Sequence, residues 1–147
     1  MKVHMNKTNT PIQVKGIDHV TMIVSDLERS KEFYCDLLGM RQIKRPGFPF
    51  PGLWFQAGNS QIHLILGQQK SASSSLDPGS EKVTPGIAHH FAFEVDDAYS
   101  AAEQLKAHDI RIMGGPTFRP DGCIQVWFYD PDGHVVEVFQ WPTETPH

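Results

Sequence analysis

The stretch HVTMIVSD at residues 19–26 recurs as HFAFEVDD at residues 90–97, an offset of 71 between residue 19 and residue 90. In each copy an apolar run leads into a hydroxyl or acidic residue and then into a segment with helical spacing, which predicts a strand followed by a helix. The ends of the copies match as well, because QIHLIL at 61–66 lies over VVEVFQ at 135–140, each behind a strong turn sequence. A period this long is typical of a duplicated subdomain rather than of a solenoid.

The register of the repeat is decided by the alternation of side chains along a strand. An offset of 70 would place His19 over His89, whereas an offset of 71 places it over His90. With the larger offset, the apolar residues of the first strand lie over a second continuous apolar face, formed by Phe91, Phe93 and Val95. With the smaller offset they would lie over a histidine, an alanine and a glutamate, which cannot all be core. We therefore expect His90 to be the counterpart of His19.

The predicted fold class is α+β, with one domain over residues 16–141 that contains two modules of the order βαβββ. The modules cover 16–66 and 87–141. A Ser- and Gly-containing linker at 67–86 is expected to join them, and residues 1–15 are expected to form a flexible arm.

Local signals predict how individual elements begin and end. Ser25 and Glu28 form a predicted capping box for the first helix, which is expected to run to about Leu38. The second strand of the second module is expected at 110–113 and is followed by a predicted Gly/Pro loop. His134 follows a turn glycine and is expected to be solvated.

Size and composition are those of a globular protein. The 147 residues are 39% hydrophobic and 10% aromatic and carry a net charge of −4 without a Lys/Arg run, which argues against a nucleic-acid or membrane partner. No apolar stretch approaches the roughly 20 residues that span a bilayer. The N-terminal residues lack an apolar signal core, so a cytoplasmic location is expected. Cys35 and Cys123 are expected to be buried or semi-buried thiols rather than a disulfide framework.

Four side chains at matched positions of the two modules are candidate ligands of a metal: His19, His63, His90 and Glu137. Strand parity puts them opposite the more apolar faces, which are suited to packing under a helix. Imidazole and carboxylate donors without a thiolate suit one divalent transition metal (Zn, Ni, Fe, Co or Mn) rather than a structural zinc site. His19, His90 and Glu137 alone form a two-His-one-carboxylate set, and His63 is either a fourth ligand or a neighbour that moves protons. Glu137 stands out because an acid among apolar neighbours is costly to bury uncompensated.

Four motifs occur in order along the chain: IDHV at 17–20, FYCDLLGM at 33–40, HFAFEVDD at 90–97 and FYDPDGHVVE at 128–137. Together they resemble the vicinal oxygen chelate superfamily, which includes glyoxalase I, extradiol dioxygenases, fosfomycin-modifying enzymes and methylmalonyl-CoA epimerase. The resemblance implies an open, cup-shaped mixed sheet around one metal, with helices on its outer face. It also implies a homodimer, in which the ligands of one module meet those of the other module across the interface between two chains.

Two departures from the subfamilies bear on the reaction. Glyoxalase I usually carries a carboxylate that can act as the catalytic base at the position where this chain has His63. Extradiol and fosfomycin enzymes typically place a tyrosine ten residues before the last glutamate ligand, where this chain has Trp127, with Tyr129 as a displaced substitute. His63 and Glu137 are the candidate catalytic residues.

The shared chemistry that the resemblance implies is coordination of two adjacent oxygens of a small-molecule substrate. The candidate pocket walls are aromatic residues together with an arginine that could pair with a substrate carboxylate or phosphate: Trp54, Phe55, Trp127, Phe128, Tyr129 and Arg119. Three functions stay open. They are a lyase or isomerase of glyoxalase type without oxygen uptake, a non-haem Fe(II) dioxygenase of extradiol type, and a binding or resistance protein without turnover.

Overall fold

The computed structural model describes residues 10–67 and 89–143 of the chain. Almost all of the predicted linker at 67–86 lies outside the described residues. Residues 1–9 of the predicted arm lie outside them as well. Within the described part of the chain, no helix is long and apolar enough to cross a membrane.

The first module contains four strands and one helical segment: β1 His19–Val24, α1 Leu27–Lys31 continued by a π-helical segment Glu32–Leu37, β2 Arg41–Ile43, β3 Gly52–Ala57 and β4 Ser60–Leu66. The second module repeats this order: β5 His90–Glu94, α2 Ala98–Ala107, β6 Ile112–Phe118, β7 Ile124–Tyr129 and β8 Val135–Gln140. The predicted βαβββ order is confirmed in both modules.

Each module forms one open four-stranded mixed sheet. The strand orders are β1-β4-β3-β2 and β5-β8-β7-β6. The first strand of each module pairs in parallel with the last one, and the remaining pairs are antiparallel. The two sheets are therefore topologically equivalent, which confirms the α+β class and the internal duplication.

One apolar core lies under both sheets. It is formed by the alternate residues of the paired strands and by side chains of the helical segments: Met22, Val24, Ile62, Leu64, Phe33, Tyr34, Phe55, Val126, Phe128, Val136, Val138, Ala102 and Leu105. Because side chains alternate along a strand, the residues between them face the opposite sides of the two sheets. Those opposite faces carry the candidate ligands.

Polar contacts join the two modules at the turn between β7 and β8. The buried Tyr34 hydroxyl donates to Oδ2 of Asp130 at 2.7 Å. His134 donates from Nε2 to the Ile23 carbonyl at 3.0 Å and is fully buried. The prediction that His134 is solvated is therefore wrong, because the end of β1 packs against this turn and supplies an acceptor.

Three other local expectations are corrected. Asp26, not Ser25, caps α1, because the Asp26 side chain accepts from the Arg29 N–H while Ser25 donates to Asp132 in the second module. The α-helical hydrogen bonding ends at Lys31 and changes to π-helical. The predicted Gly/Pro loop after residue 113 is part of β6, which pairs with β7 through irregular register. There, Gly115 has a φ of +93°, and a Cβ would lie 2.3 Å from the Gln125 carbonyl, so only glycine fits.

Candidate metal centre

The first pair of candidate ligands lies on neighbouring parallel strands of the first sheet. His63 is the register partner of Thr21, two residues after His19, so both imidazoles emerge on the same face. Their rings stack with centroids 4.0 Å apart. On its other side His63 stacks on Trp54, its antiparallel partner in β3, with centroids 3.8 Å apart and planes parallel to within 1°. The His63 ring is thus held between two aromatic rings.

Neighbouring acceptors determine which nitrogen of each ring is free. Nδ1 of His19 lies 2.8 Å from Oδ2 of Asp18, and Nε2 of His63 lies 2.8 Å from the amide oxygen of Gln61. Both partners are acceptors, so these nitrogens carry the protons. In the neutral form of each ring, Nε2 of His19 and Nδ1 of His63 therefore carry the lone pair that can bind a metal ion.

The electrostatic surroundings of His63 favour the neutral imidazole. Burial lowers the pKa of His63, the neighbouring His19 lowers it further, and Asp18 raises it by a smaller amount. A neutral ring at ordinary pH is suited both to metal binding and to accepting a proton.

The second pair lies on the second sheet. His90 on β5 and Glu137 on β8 approach to 3.0 Å between Nε2 and Oε1, and the other carboxylate oxygen accepts from the Gln125 amide at 3.0 Å. Glu137 is only 3% exposed, and these two contacts compensate its burial. The phenylalanines on either side of Ala92 pack against the core while His90 contacts Glu137, which supports the register that pairs His90 with His19.

Within one chain these four side chains form two pairs rather than one cluster. Residues 10–67 and 89–143 contain no group of three or more His, Cys, Asp or Glu residues placed to hold a metal ion. Each pair lies on the face of its sheet opposite the shared core. One chain therefore presents two separate pairs of candidate ligands, here called half-sites: His19 with His63, and His90 with Glu137.

The first half-site borders a cavity of about 460 Å³, which is within the usual size range for small-molecule pockets. Its lining combines the two imidazoles with aromatic, charged and amide side chains: His19, His63, Trp54, Phe48, Phe50, Arg45, Asp18 and Gln61.

The family model of the Glyoxalase/Bleomycin resistance protein/Dioxygenase superfamily matches residues 16–138, which include all four candidate ligands. The chain belongs to this superfamily. The chain shares its fold with a solved glyoxalase/dioxygenase from Nostoc punctiforme, which is 25% identical, covers 95% of this chain and 99% of its own, and superposes with a TM-score of 0.71. A solved fosfomycin resistance protein from Mesorhizobium loti, 22% identical with a TM-score of 0.62 over 89% and 96% of the two chains, has the same fold.

Relatives within the superfamily have several activities. A protein from Synechocystis whose description is "Probable lactoylglutathione lyase" is 28% identical over 131 residues, which are 83% of this chain and 92% of that protein. A lactoylglutathione lyase from Neisseria meningitidis is 29% identical over 133 residues, 83% of this chain and 88% of its own. The human mitochondrial methylmalonyl-CoA epimerase is 30% identical over 124 residues, which are 76% and 68% of the two chains. These relatives support an enzyme of the superfamily.

The aromatic residues that the sequence suggested as pocket walls divide into two groups. Trp54 lines the cavity and contacts His63. Phe55 and Phe128 are fully buried in the core, so their assignment to the pocket is wrong. The reason is parity, because Phe55 pairs with Ile62 rather than with His63 and therefore faces the helices.

The remaining suggested walls lie on the second sheet or, for Arg119, in the connection between β6 and β7. Trp127 is the cross-strand partner of Glu137, and its buried indole Nε1 has no acceptor among the described residues. Tyr129 packs with Trp127 and lines a separate cavity of about 740 Å³ at the junction of the modules. Arg119 forms a bidentate pair with Asp121, with contacts of 2.7 and 3.0 Å. The guanidinium lowers the pKa of Asp121 to about 2.

Several residues of the half-sites were not predicted. The amides of Gln61 and Gln125 hydrogen-bond to the candidate ligands His63 and Glu137, and Asp18 contacts His19. Gln61 shares the strand parity of His63, which is the signal that could have identified it. Arg45 with its two phenylalanine neighbours belongs to an irregular loop, where no periodicity shows which side chains meet.

Proposed function

We propose that two copies of this chain assemble so that His19 and His63 of one copy and the second pair of the other, His90 and Glu137, together bind one divalent transition metal. The complete site acts as a lyase or isomerase of glyoxalase type on a small substrate with two adjacent oxygens. The observation that carries the proposal is the division of the ligands into two preorganised pairs on faces opposite the core.

The donors fit such an ion. Two ligands that each lie about 2.1 Å from one ion at a right angle are about 3 Å apart, and Nε2 of His90 is 3.0 Å from Oε1 of Glu137. In the other pair one nitrogen of each imidazole faces an oxygen acceptor, which leaves the other nitrogen of the neutral ring for the metal, as in most metal-bound histidines. A set of imidazoles and one carboxylate without thiolate suits Ni, Zn, Co, Fe or Mn.

When bound, the metal supplies Lewis-acid stabilisation of negative charge on the substrate oxygens. The chain itself moves the proton. Nδ1 of His63 binds the metal in this arrangement, because Nε2 is held by the Gln61 amide oxygen. The proton is taken by Glu137, whose Oε1 can exchange its contact with His90 for a substrate proton. An isomerisation needs a group that takes a proton from one carbon and returns it to the neighbouring one. Trp54 fixes the plane of the His63 ring and shields it from water.

A second candidate function is oxidation by a non-haem Fe(II) site. His19, His90 and Glu137 by themselves form the two-His-one-carboxylate set that such oxygenases use. The fold shared with a glyoxalase/dioxygenase from Nostoc punctiforme is compatible with either chemistry. The glyoxalase type is preferred because the lactoylglutathione lyases match across most of both chains.

The two functions are separated by metal analysis followed by activity assays. Purified protein is analysed for bound metal, stripped, and reloaded with Ni, Zn, Co or Fe(II). We expect the hemithioacetal of methylglyoxal and glutathione to be isomerised with Ni, Zn or Co and without oxygen uptake. Oxygen consumption with a catechol and Fe(II) would instead establish the second candidate. Ligand binding that is indifferent to a chelator, with no turnover, would refute both.

The histidine register provides a matched control. His90→Ala is expected to abolish metal retention, because it removes one partner of Glu137. His89→Ala changes the exposed residue next to it and should retain metal like the wild type. Equal retention in both variants would contradict the assignment of the ligands.

A further inference from the structure

A cationic side chain lies in the wall of the first half-site cavity. Arg45 follows β2, and its guanidinium carbon lies 4.9 Å from the ring centroid of Phe48 and 4.9 Å from that of Phe50. The two rings stack with centroids 5.3 Å apart, and Phe48 contacts Trp54 at 6.2 Å. The cluster Arg45, Phe48 and Phe50, here called the arginine wall, thus continues the aromatic row that begins at His63.

The guanidinium of Arg45 contacts two aromatic rings but has no hydrogen-bonded partner among residues 10–67 and 89–143. Over the described ranges no carboxylate pairs with it, and its Nε is buried without an acceptor. Arg119 shows the contrast, because it is held bidentately by Asp121. A partly buried guanidinium without an acceptor is unfavourable unless a ligand completes its hydrogen bonds.

The backbone makes room for this arrangement at Gly52. A Cβ at Gly52 would lie 2.9 Å from both Cζ and Nε of Arg45. The guanidinium therefore lies directly against the first residue of β3, which shields Nε. Arg45 is a lining residue of the cavity, so its terminal amino groups are the part of the side chain that a ligand there would contact.

The other charges of the cavity leave a place for one anionic group. Among the described residues that line the cavity, Asp18 is the only acidic one, and its carboxylate is paired with Nδ1 of His19. Phe48 and Phe50 are 44% and 40% exposed, which is unusual for large apolar side chains and provides a surface for an apolar part of a ligand.

We infer that the arginine wall binds a carboxylate of the substrate, so that the enzyme acts on organic acids whose apolar part lies on Phe48 and Phe50. The inference rests on the proposed function, because the other end of the substrate would present its adjacent oxygens to the metal. A carboxylate is favoured because its planar pair of oxygens matches the two terminal N–H groups of one guanidinium. Arg45 is a specificity-determining residue rather than a catalytic one.

The test uses two small molecules with the same uncharged hydroxyacetyl-phenyl part, para-(hydroxyacetyl)benzoate and the corresponding carboxamide. They differ only in the group at the para position. Both offer a hydroxyl next to a carbonyl, and only the first offers a carboxylate. Isothermal titration calorimetry measures both dissociation constants on the full-length protein, once loaded with metal and once after treatment with a chelator. We expect the wild type to bind the benzoate about tenfold more tightly than the amide in both states.

Three variants complete the test. Arg45→Gln is expected to lose the preference for the carboxylate, and Arg45→Lys to keep part of it, because an ammonium retains the charge but not the planar fork. Lys44→Gln removes the same charge from the exposed neighbouring position and should keep the full preference. Equal affinities in the wild type, a preference that persists in Arg45→Gln, or no binding of the benzoate at millimolar concentration would overturn the inference.

The two proposals fail in different ways. A protein that binds no metal but still prefers the benzoate through Arg45 refutes the proposed function and leaves the arginine wall standing as a carboxylate site. A protein that binds metal and turns over substrate without preferring the benzoate refutes the arginine wall alone.

Discussion

Replacing Tyr34 by phenylalanine tests how firmly the two modules are joined. The hydroxyl is fully buried and donates to Oδ2 of Asp130 at 2.7 Å. The other oxygen of Asp130 accepts from two backbone N–H groups, at 2.8 and 2.9 Å, so the substitution leaves Oδ2 without its donor inside the core. A hydrogen bond to a charged group contributes about 1.5–3 kcal/mol. The free energy of unfolding of Tyr34→Phe should fall by about that amount, and Tm by about 3–12 °C.

The penalty should also depend on pH. Burial raises the pKa of Asp130, and the hydrogen bond from Tyr34 opposes this rise because it stabilises the carboxylate. The stabilisation by Tyr34 is therefore present while Asp130 is ionised and is lost as the pH falls through the pKa of the folded state. Urea unfolding at fixed protein concentration should show a large difference between wild type and variant at pH 7.5 and a smaller one near pH 4.5.

Tyr99→Phe is the matched control, because Tyr99 is 47% exposed on α2. Loss of its hydroxyl group should change the free energy of unfolding by less than about 0.5 kcal/mol. The reasoning is refuted if Tyr34→Phe falls within that same range, or if its penalty grows as the pH is lowered.

Three further predictions concern the backbone, the ligand shell and the metal. Gly52→Ala should lower the free energy of unfolding in urea by roughly 1–3 kcal/mol, because its Cβ would lie against the Leu64 carbonyl oxygen. The control Gly47→Ala adds a Cβ with nothing within 4 Å and should be neutral, so equal effects of the two substitutions would contradict this prediction. Gln125→Ala removes the amide that orients the buried Glu137, and titration with metal should show that the affinity for the metal falls about 10–100-fold. An unchanged affinity would show that the amide is irrelevant. Removal of the metal by a chelator should lower Tm and increase the monomer fraction in sedimentation. A ligand at a hundredfold excess over its Kd stabilises the folded protein by about 2.7 kcal/mol, so an unchanged Tm would argue against a bound ion.

Much of the fold could be predicted because the same physical constraint acts twice. The alternation of side chains in β1 and β5 identified His90 rather than His89 as the equivalent of His19, and the contact of His90 with Glu137 agrees with that choice. A prediction was wrong where this alternation was not applied. Phe55 was suggested as a pocket wall although it is the direct neighbour of Trp54 and must face the other side.

The remaining features depend on contacts between distant segments. The turn before β8 is evident from its Asp, Pro and Gly, yet nothing local shows that the Ile23 carbonyl approaches His134 there. The arginine wall lies in an irregular loop without periodicity, so the contact of Arg45 with two rings could not be expected from spacing. The repeat likewise predicts which residues are equivalent but not whether the two pairs meet within a chain.

The central claim is that one metal site is built from two chains, and mixed dimers test it most directly. One variant lacks His19 and His63, the other lacks His90 and Glu137, and the two are co-expressed with different affinity tags. Each variant alone should bind no metal, while the purified mixed dimer should bind one ion per dimer, because one of its two sites then has all four native ligands. A mixed dimer that binds no metal, or single variants that retain a full complement, would contradict a site shared between chains.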